Sequence, residues 1–432
     1  MRDLLFTLIL PYYIYVSIKK PWISLGFWLW TSCIKVNYLL YGFANSFQLN
    51  RVFALATLFS YAIGKNKIKL KIDSISFLFF LYLLWVLISF FLSDVNPKSL
   101  NFRMENLVKM LVFYVMCCKI LTKKIHFDFL VWILIISYGA LGSAEGLKYI
   151  ISGGTHTVYA INGINGDNNF AALMMLTTLP LTTYILSQTK VKTLRVGLMG
   201  VILLLVTGIL ATNSRGAFIG LSFVGVYFFI KSERKLLVLF VFITIITIAY
   251  NLLPDSWFER MNTIEHAEED GSFMSRVISW KMCTIIAINN PIFGGGLRAV
   301  EDYQLWHYYK ADFGILSFIP SPQPGRIYAA HSMFFQVLGD VGFVGLAIYI
   351  SLLATVFFKI GSLIRKAQKY EMDDWVIQLL KMLQISLVAY CISGALISVA
   401  HTDLLFFLFA MVHTLGQHIV YPAENQAQKT NN

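Results

Sequence analysis

The fold this sequence predicts is all-α: a polytopic membrane bundle of about twelve transmembrane helices with one long structured loop outside the membrane. Three observations predict it. Of the 432 residues, 57% are hydrophobic and 13% charged, more apolar surface than one or two soluble cores can hide. Apolar runs of roughly 17–25 residues recur, each long enough to cross a hydrocarbon core about 30 Å thick. The basic residues behind the net charge of +12 sit in short loops between those runs, as they do on the cytoplasmic side of membrane proteins. That placement argues against nucleic acid as the partner of a basic chain.

The opening "MRDLLFTLILPYYIYVSIKKPW" lacks a small-residue cleavage site and runs straight into more apolar sequence, so it is expected to be a retained first helix. The first 64 residues hold two or three spans. Ten more follow, at 74–93, 104–121, 127–150, 168–188, 196–212, 215–230, 236–253, 331–358, 376–398 and 402–420. Lysine and arginine cluster at Lys65–Lys71, Lys119–Lys124, Lys190–Arg195, Lys231–Lys235 and Arg365–Lys369, which puts those loops in the cytoplasm. The segments 94–103, 151–167, 213–215, 255–330 and 399–402 then lie outside. The chain divides into an N-terminal transmembrane bundle (1–254), an external lid loop (255–330), C-terminal transmembrane helices (331–420) and a cytoplasmic tail (421–432).

The lid is far longer than a connection needs, and loops of such length carry function or are disordered. This one reads as structured: "SRVISWKMCTIIAINN" is an amphipathic helix closed by Pro291, suited to the membrane surface, followed by "NPIFGGGL" and an aromatic tract, "YQLWHYYKADFG". The five cysteines make no CxxC pair, so neither a zinc site nor a disulfide framework is expected.

Residues 196–230 would run about 52 Å as one helix, too far for a single crossing. With basic loops on both sides, the run must be a hairpin whose tip is outside, and Arg215 lies at that tip. Asn213 and Ser214 can cap the second helix, placing the arginine in a first turn whose free N–H groups favour an anion. An arginine reaching lipid headgroups is the plainer alternative.

His331 opens the span that leaves the lid, either as an interfacial side chain or as a general base. Asp340 lies about 13 Å further along on the opposite helix face, which gives it a packing or capping role. Arg276 starts the lid helix, as a salt-bridge partner of the preceding acids or as a guanidinium for a pyrophosphate; Arg298 and Arg326 are weaker versions of the same idea. Asp167, with Asn168 and Asn169, either caps the next span or meets a substrate hydroxyl. The glycines 294–296 form a turn or an anion-binding nest. His401 and Asp403 sit in the last external turn and could line the same cavity. Trp306, Tyr308 and Tyr309 are an interfacial belt or a sugar-stacking surface.

In order, "TNSRGA", "GSFMSRVISWKMCTIIAINNPIFGGGL" and "AAHSMFFQVLGDVGFVGL" resemble the O-antigen ligase and polymerase superfamily over about residues 160–360. The opening residues and the "GDNN" turn resemble further the O-glycosylation ligases associated with exosortase A. The resemblance implies a metal-independent, cofactor-free glycosyltransferase of the bacterial inner membrane. Its donor would be a polyprenyl-diphosphate-linked glycan at the periplasmic face, and its acceptor lipid A–core, a protein or a second lipid-linked glycan. Arg215 and Arg276 would hold the diphosphate and His331 would deprotonate the acceptor hydroxyl. A polymerase differs only in acceptor. A flippase or transporter is the reading from another class, with Glu145 the main mid-span acid and Lys148 placed to neutralise it.

Overall fold

The computed structural model describes residues 2–36, 40, 42–64, 68–93, 97–161, 167–231, 235–236, 271–321 and 326–430. Among these the regular structure is helical, with no strand. The helices are α1 Arg2–Lys19, α2 Pro21–Cys33, α3 Leu49–Ile63, α4 Ser74–Phe91, α5 Pro97–Ile120, α6 Lys124–Ile151, α7 Asn168–Gln188, α8 Lys192–Ala211, α9 Arg215–Lys231, α10 Gly271–Asn289, α11 Tyr303–Tyr308, α12 Met333–Lys369, α13 Asp374–Gly394 and α14 Asp403–Gln428.

Seven of these, α4, α6, α7, α8, α12, α13 and α14, are long and apolar enough to cross a membrane. Three of the other expected crossings fall short of that length or apolarity for identifiable reasons. Helices α3 and α9 have 15 and 17 residues, and α5 carries Glu105, Lys109 and Lys119 along its length. The expected span 236–253 and the start of the lid, 255–270, lie outside the described residues.

Polar caps set where the spans begin. The Asp73, Asp167, Ser332 and Thr402 side chains accept from N–H groups in the first turns of α4, α7, α12 and α14, satisfying donors that a helix start leaves open. Helix α6 packs on α8, α7 on α13, α10 and α4 on α12, and α5 on α14. The α6–α8 contact is backbone to backbone: a Cβ on Gly146 would fall 1.9 Å from the Leu204 carbonyl oxygen. With Gly142 one turn earlier, this is the small-residue packing that substitutes for hydrophobic drive inside lipid.

The bundle has two chemically different ends. At one, Lys359 and Lys366 pair with Asp73 and Glu424 and His413 meets Asp73 at 2.9 Å, close to the loops expected in the cytoplasm. At the other lie the lid, the α8–α9 tip and the turn between α13 and α14.

Candidate active site

Residue Gly342 breaks α12. Its φ of 72° and ψ of −173° suit only glycine among ordinary residues, and the break frees carbonyls of the preceding turn. Gly295 N–H donates to the Gly339 carbonyl and Gly296 N–H to the Asp340 carbonyl, both at 2.9 Å, while Phe343 N–H takes the Pro291 carbonyl at 2.8 Å. Gly294, at φ 67°, sits so close that a Cβ would lie 2.5 Å from the Gly342 nitrogen. Helix α4 fastens the same joint: the Ser89 hydroxyl reaches the Phe293 carbonyl at 2.6 Å, and Ser93 the Gly295 carbonyl at 2.7 Å. Since the Gly294 N–H goes to the Asn290 carbonyl, all three glycine N–H groups are spent on protein oxygens. The anion-nest reading therefore gives way to a turn that docks the lid.

Asp340 completes the joint. Its side chain is buried, and Oδ1 accepts the Ala299 N–H at 3.3 Å, the packing role expected of it. The aromatic tract splits. Trp306 and Tyr309 are buried, the indole N–H donating to the Val300 carbonyl and the Asn290 amide donating to the Tyr309 hydroxyl; they are the lid's own core and no stacking surface. Tyr308 stays exposed.

This joint delivers α10 to the start of α12. Instead of lying loose at a surface, α10 buries Met282, Cys283, Ile285 and Ile286, and Cys283 meets Gly339. Its Trp280 stacks on Phe335 with centroids 5.0 Å apart. From the same turn, the Ser279 hydroxyl and Trp280 indole N–H both donate to the Ala330 carbonyl, at 3.2 and 2.8 Å.

The next residue is His331, held in the left-handed region at φ 44°, a conformation that costs a non-glycine residue about 1–3 kcal/mol. Its N–H donates to the Ser398 hydroxyl oxygen at 2.8 Å. The lid thus grips the chain just before His331, and the α13–α14 turn grips His331 itself. Burial and the charge of Arg276 push its pKa below the ordinary imidazole value, while Asp167 and Glu301 pull it partly back. A neutral imidazole at pH 7 is the form that can take a proton.

His331 faces a cavity of about 1110 Å³, the size range of small-molecule sites or slightly above it. Asp167, Arg298, His401 and Asp403 share its wall. Asp167 does two things at once: its Oδ1 caps α7 by accepting the Phe170 N–H at 3.0 Å, and its charge acts on His331. Arg298 pairs with Glu301 at 3.0 Å. His401 has Nε2 2.7 Å from the Tyr82 hydroxyl, and burial together with Arg298 lowers its pKa to about 3, so it stays neutral.

The remaining expected residues lie off that wall. Arg276 sits one turn before Ser279 and Trp280, near enough for its charge to act on His331. Arg215 opens α9, whose Gly216 lies against Leu396 and Ser393 at the end of α13; Ser214 caps the helix as expected, its hydroxyl accepting the Ala217 N–H at 3.4 Å. Asn168 donates to the Thr212 carbonyl at 2.8 Å, tying α7 to the α8–α9 tip, and Asn169 bonds its neighbours. Arg326 is exposed.

A second part of the wall was not foreseen. It comes from the α2–α3 connection, the first turn of α3 and the first half of α5, and includes Lys35, Gln48, Asn50, Arg51, Glu105 and Lys109. Lys109, a cation inside an apolar run, was the signal that could have found it. The charged lining balances: Lys35, Arg51, Lys109 and Arg298 against Glu105, Asp167, Glu301 and Asp403. Among the described residues, no three His, Cys, Asp or Glu side chains gather as a metal-ligand set.

Comparison with known families fits this division. The family described as O-Antigen ligase matches residues 200–350, the stretch that holds Arg215, Arg276, Arg298, Arg326 and His331. A family of unknown function, DUF5935, matches residues 1–189, which supply the second wall. A search of curated proteins found no match.

Proposed function

We propose, from the premise that residues 200–350 mark a membrane glycosyl-transfer enzyme of the O-antigen ligase kind, that the cavity joins a glycan from a polyprenyl diphosphate carrier to an acceptor hydroxyl. The reaction runs at the periplasmic face of the bacterial inner membrane, with the membrane-spanning helices holding the site at the lipid boundary. The observation that carries this reading is His331: half-buried on the cavity wall, neutral at pH 7, and one grip away from the helix that brings Arg276.

The acceptor oxygen attacks the anomeric carbon from the side opposite the leaving group and its proton passes to the His331 imidazole. The carbon–oxygen bond to the diphosphate breaks as the new bond forms, inverting the centre, and the electron pair leaves with the diphosphate. Developing anionic charge needs fixed cations in a water-poor site. In this reading Arg276, whose charge already acts on His331, and Arg215 supply those cations to the diphosphate, and the transfer runs without a metal. Arg298, Asp167 and Asp403 contact glycan hydroxyls. Asn168, Asn169 and Arg326 have no part in this reading.

The flippase alternative needs a membrane carboxylate free to bind cargo or protons. Glu145 is taken up instead, with Lys148 at 2.6 Å and His156 at 2.7 Å. The test is purified protein in detergent with a polyprenyl-diphosphate glycan and EDTA, offered lipid A–core, a peptide or a second donor. Metal-free transfer with release of polyprenyl diphosphate is expected, and the acceptor that works separates ligase, O-glycosylation ligase and polymerase. A folded, donor-binding sample that releases nothing with any of them sinks the reading.

A further inference from the structure

The turn between α13 and α14, residues 395–402, lies beyond both family matches, yet Ser398, His401 and Thr402 line the cavity. We infer that Ser398 is the positioning residue for the base: its hydroxyl oxygen holds the His331 backbone in the left-handed conformation that sets the imidazole on the cavity wall. The inference rests on the reading of His331 as general base.

A partly buried backbone N–H must find an acceptor, and His331 gives its N–H to the Ser398 oxygen at 2.8 Å. The grip on the other side of the peptide is already fixed, because the Ala330 carbonyl takes Ser279 and Trp280 from α10. With one end of the peptide set by the lid, the strained φ of 44° persists only while the other end is also set. Ser398 sets it.

The turn that carries Ser398 does not depend on that side chain for its own shape. Tyr390 donates to the Val399 carbonyl at 2.7 Å and Tyr349 to the Ala400 carbonyl at 3.3 Å, while Gln336 Oε1 accepts the Ala400 N–H at 3.2 Å. Tyr82 holds His401 from α4. Removing the serine hydroxyl therefore leaves the turn in place and deletes one contact, the one to His331.

The test compares Ser398→Thr with Ser398→Val, two side chains of nearly equal bulk of which only threonine keeps the oxygen, alongside Ser398→Ala and His331→Ala. Each is assayed as full-length protein in detergent with a polyprenyl-diphosphate glycan donor and the acceptor that works for the native chain; kcat, donor KM and thermal melting are recorded. Valine and alanine at 398 are expected to lower kcat roughly 10- to 100-fold, the cost of misplacing a catalytic group by about an ångström, with donor KM and melting within about 2-fold and 2 °C of the native values. Threonine is expected to restore kcat. Equal kcat for the threonine and valine variants, with His331→Ala inactive, overturns the role of Ser398 and leaves the base in place. An active His331→Ala removes the base reading itself.

Discussion

Two histidines at opposite ends of the bundle separate a working site from a structural one. His413, within α14, is buried, with Nδ1 2.9 Å from Asp73 Oδ1 and 3.1 Å from the Ser76 hydroxyl, which in turn meets Tyr114 at 2.9 Å. Lys359 stands 3.9 Å from the same aspartate. Burial alone would raise the Asp73 pKa, but His413, the Ser76 N–H and Lys359 together hold it below the usual value. Its ring is committed to that set. His331 is the opposite case: its backbone is fixed from two sides, and its ring is tuned by Arg276, Asp167 and Glu301 at longer range. His413 spends its Nδ1 on neighbours that hold the fold, whereas His331, the base of the proposed reaction, is held by its main chain.

The largest expected effect tests that contrast directly. His331→Ala should lower kcat by about 10²–10⁴-fold with melting unchanged, whereas His413→Ala should leave kcat per folded molecule within a few fold and lower stability by about 1–3 kcal/mol, because it takes one hydrogen-bond partner from the buried Ser76 hydroxyl and from Asp73. Detergent-solubilised melting and steady-state transfer on both variants decide it; a catalytic collapse at position 413 with unchanged melting would break the comparison. Next in size, Gly342→Ala and Gly294→Ala each force a side chain into a left-handed backbone against another backbone segment, a loss of about 1–3 kcal/mol from strain before the clash is counted. It should appear as lower melting and proteolytic release of the lid.

The pH profile sharpens the comparison on the His331 side. Since its folded pKa is depressed, the base stays unprotonated further into acid than an ordinary imidazole, and the acid limb of kcat/KM should lie below about pH 6.5. Asp167→Asn removes a charge that raises this pKa and should move the limb lower still; Arg276→Gln removes one that lowers it and should move the residual limb higher. The same depression means that stability contributed by neutral His331 is present above its unfolded pKa and declines as pH falls below it. The smallest effect is reserved for Arg326→Ala, which should change transfer less than 2-fold, since an exposed cation off the cavity wall is worth under about 1 kcal/mol.

The helical membrane architecture was legible because hydropathy and charge placement are long-range averages that single residues cannot upset. The lid helix and the caps at Ser214 and Asp167 were legible for a local reason, since capping chemistry is written within four residues. Assembly of the site was only half legible. His331, Asp167, Arg298 and Asp403 do meet, but Arg326 does not join them, and the wall from Lys35, Arg51 and Lys109 went unread, because no local pattern says which helix end folds over which. The role of Ser398 was invisible for the same reason: 67 residues of chain separate it from the N–H it accepts.

That separation has a consequence for the timing of biogenesis. Ribosomes deliver the N-terminal helices first, so His331 and the α8–α9 hairpin are made well before residue 398 is synthesised. Until the last hairpin inserts, the His331 N–H lacks its Ser398 acceptor and the cavity lacks the wall from residues 397–404. On the proposed reading of His331, a prematurely terminated chain lacks a complete site, and transfer is expected only once the final segment has been translated.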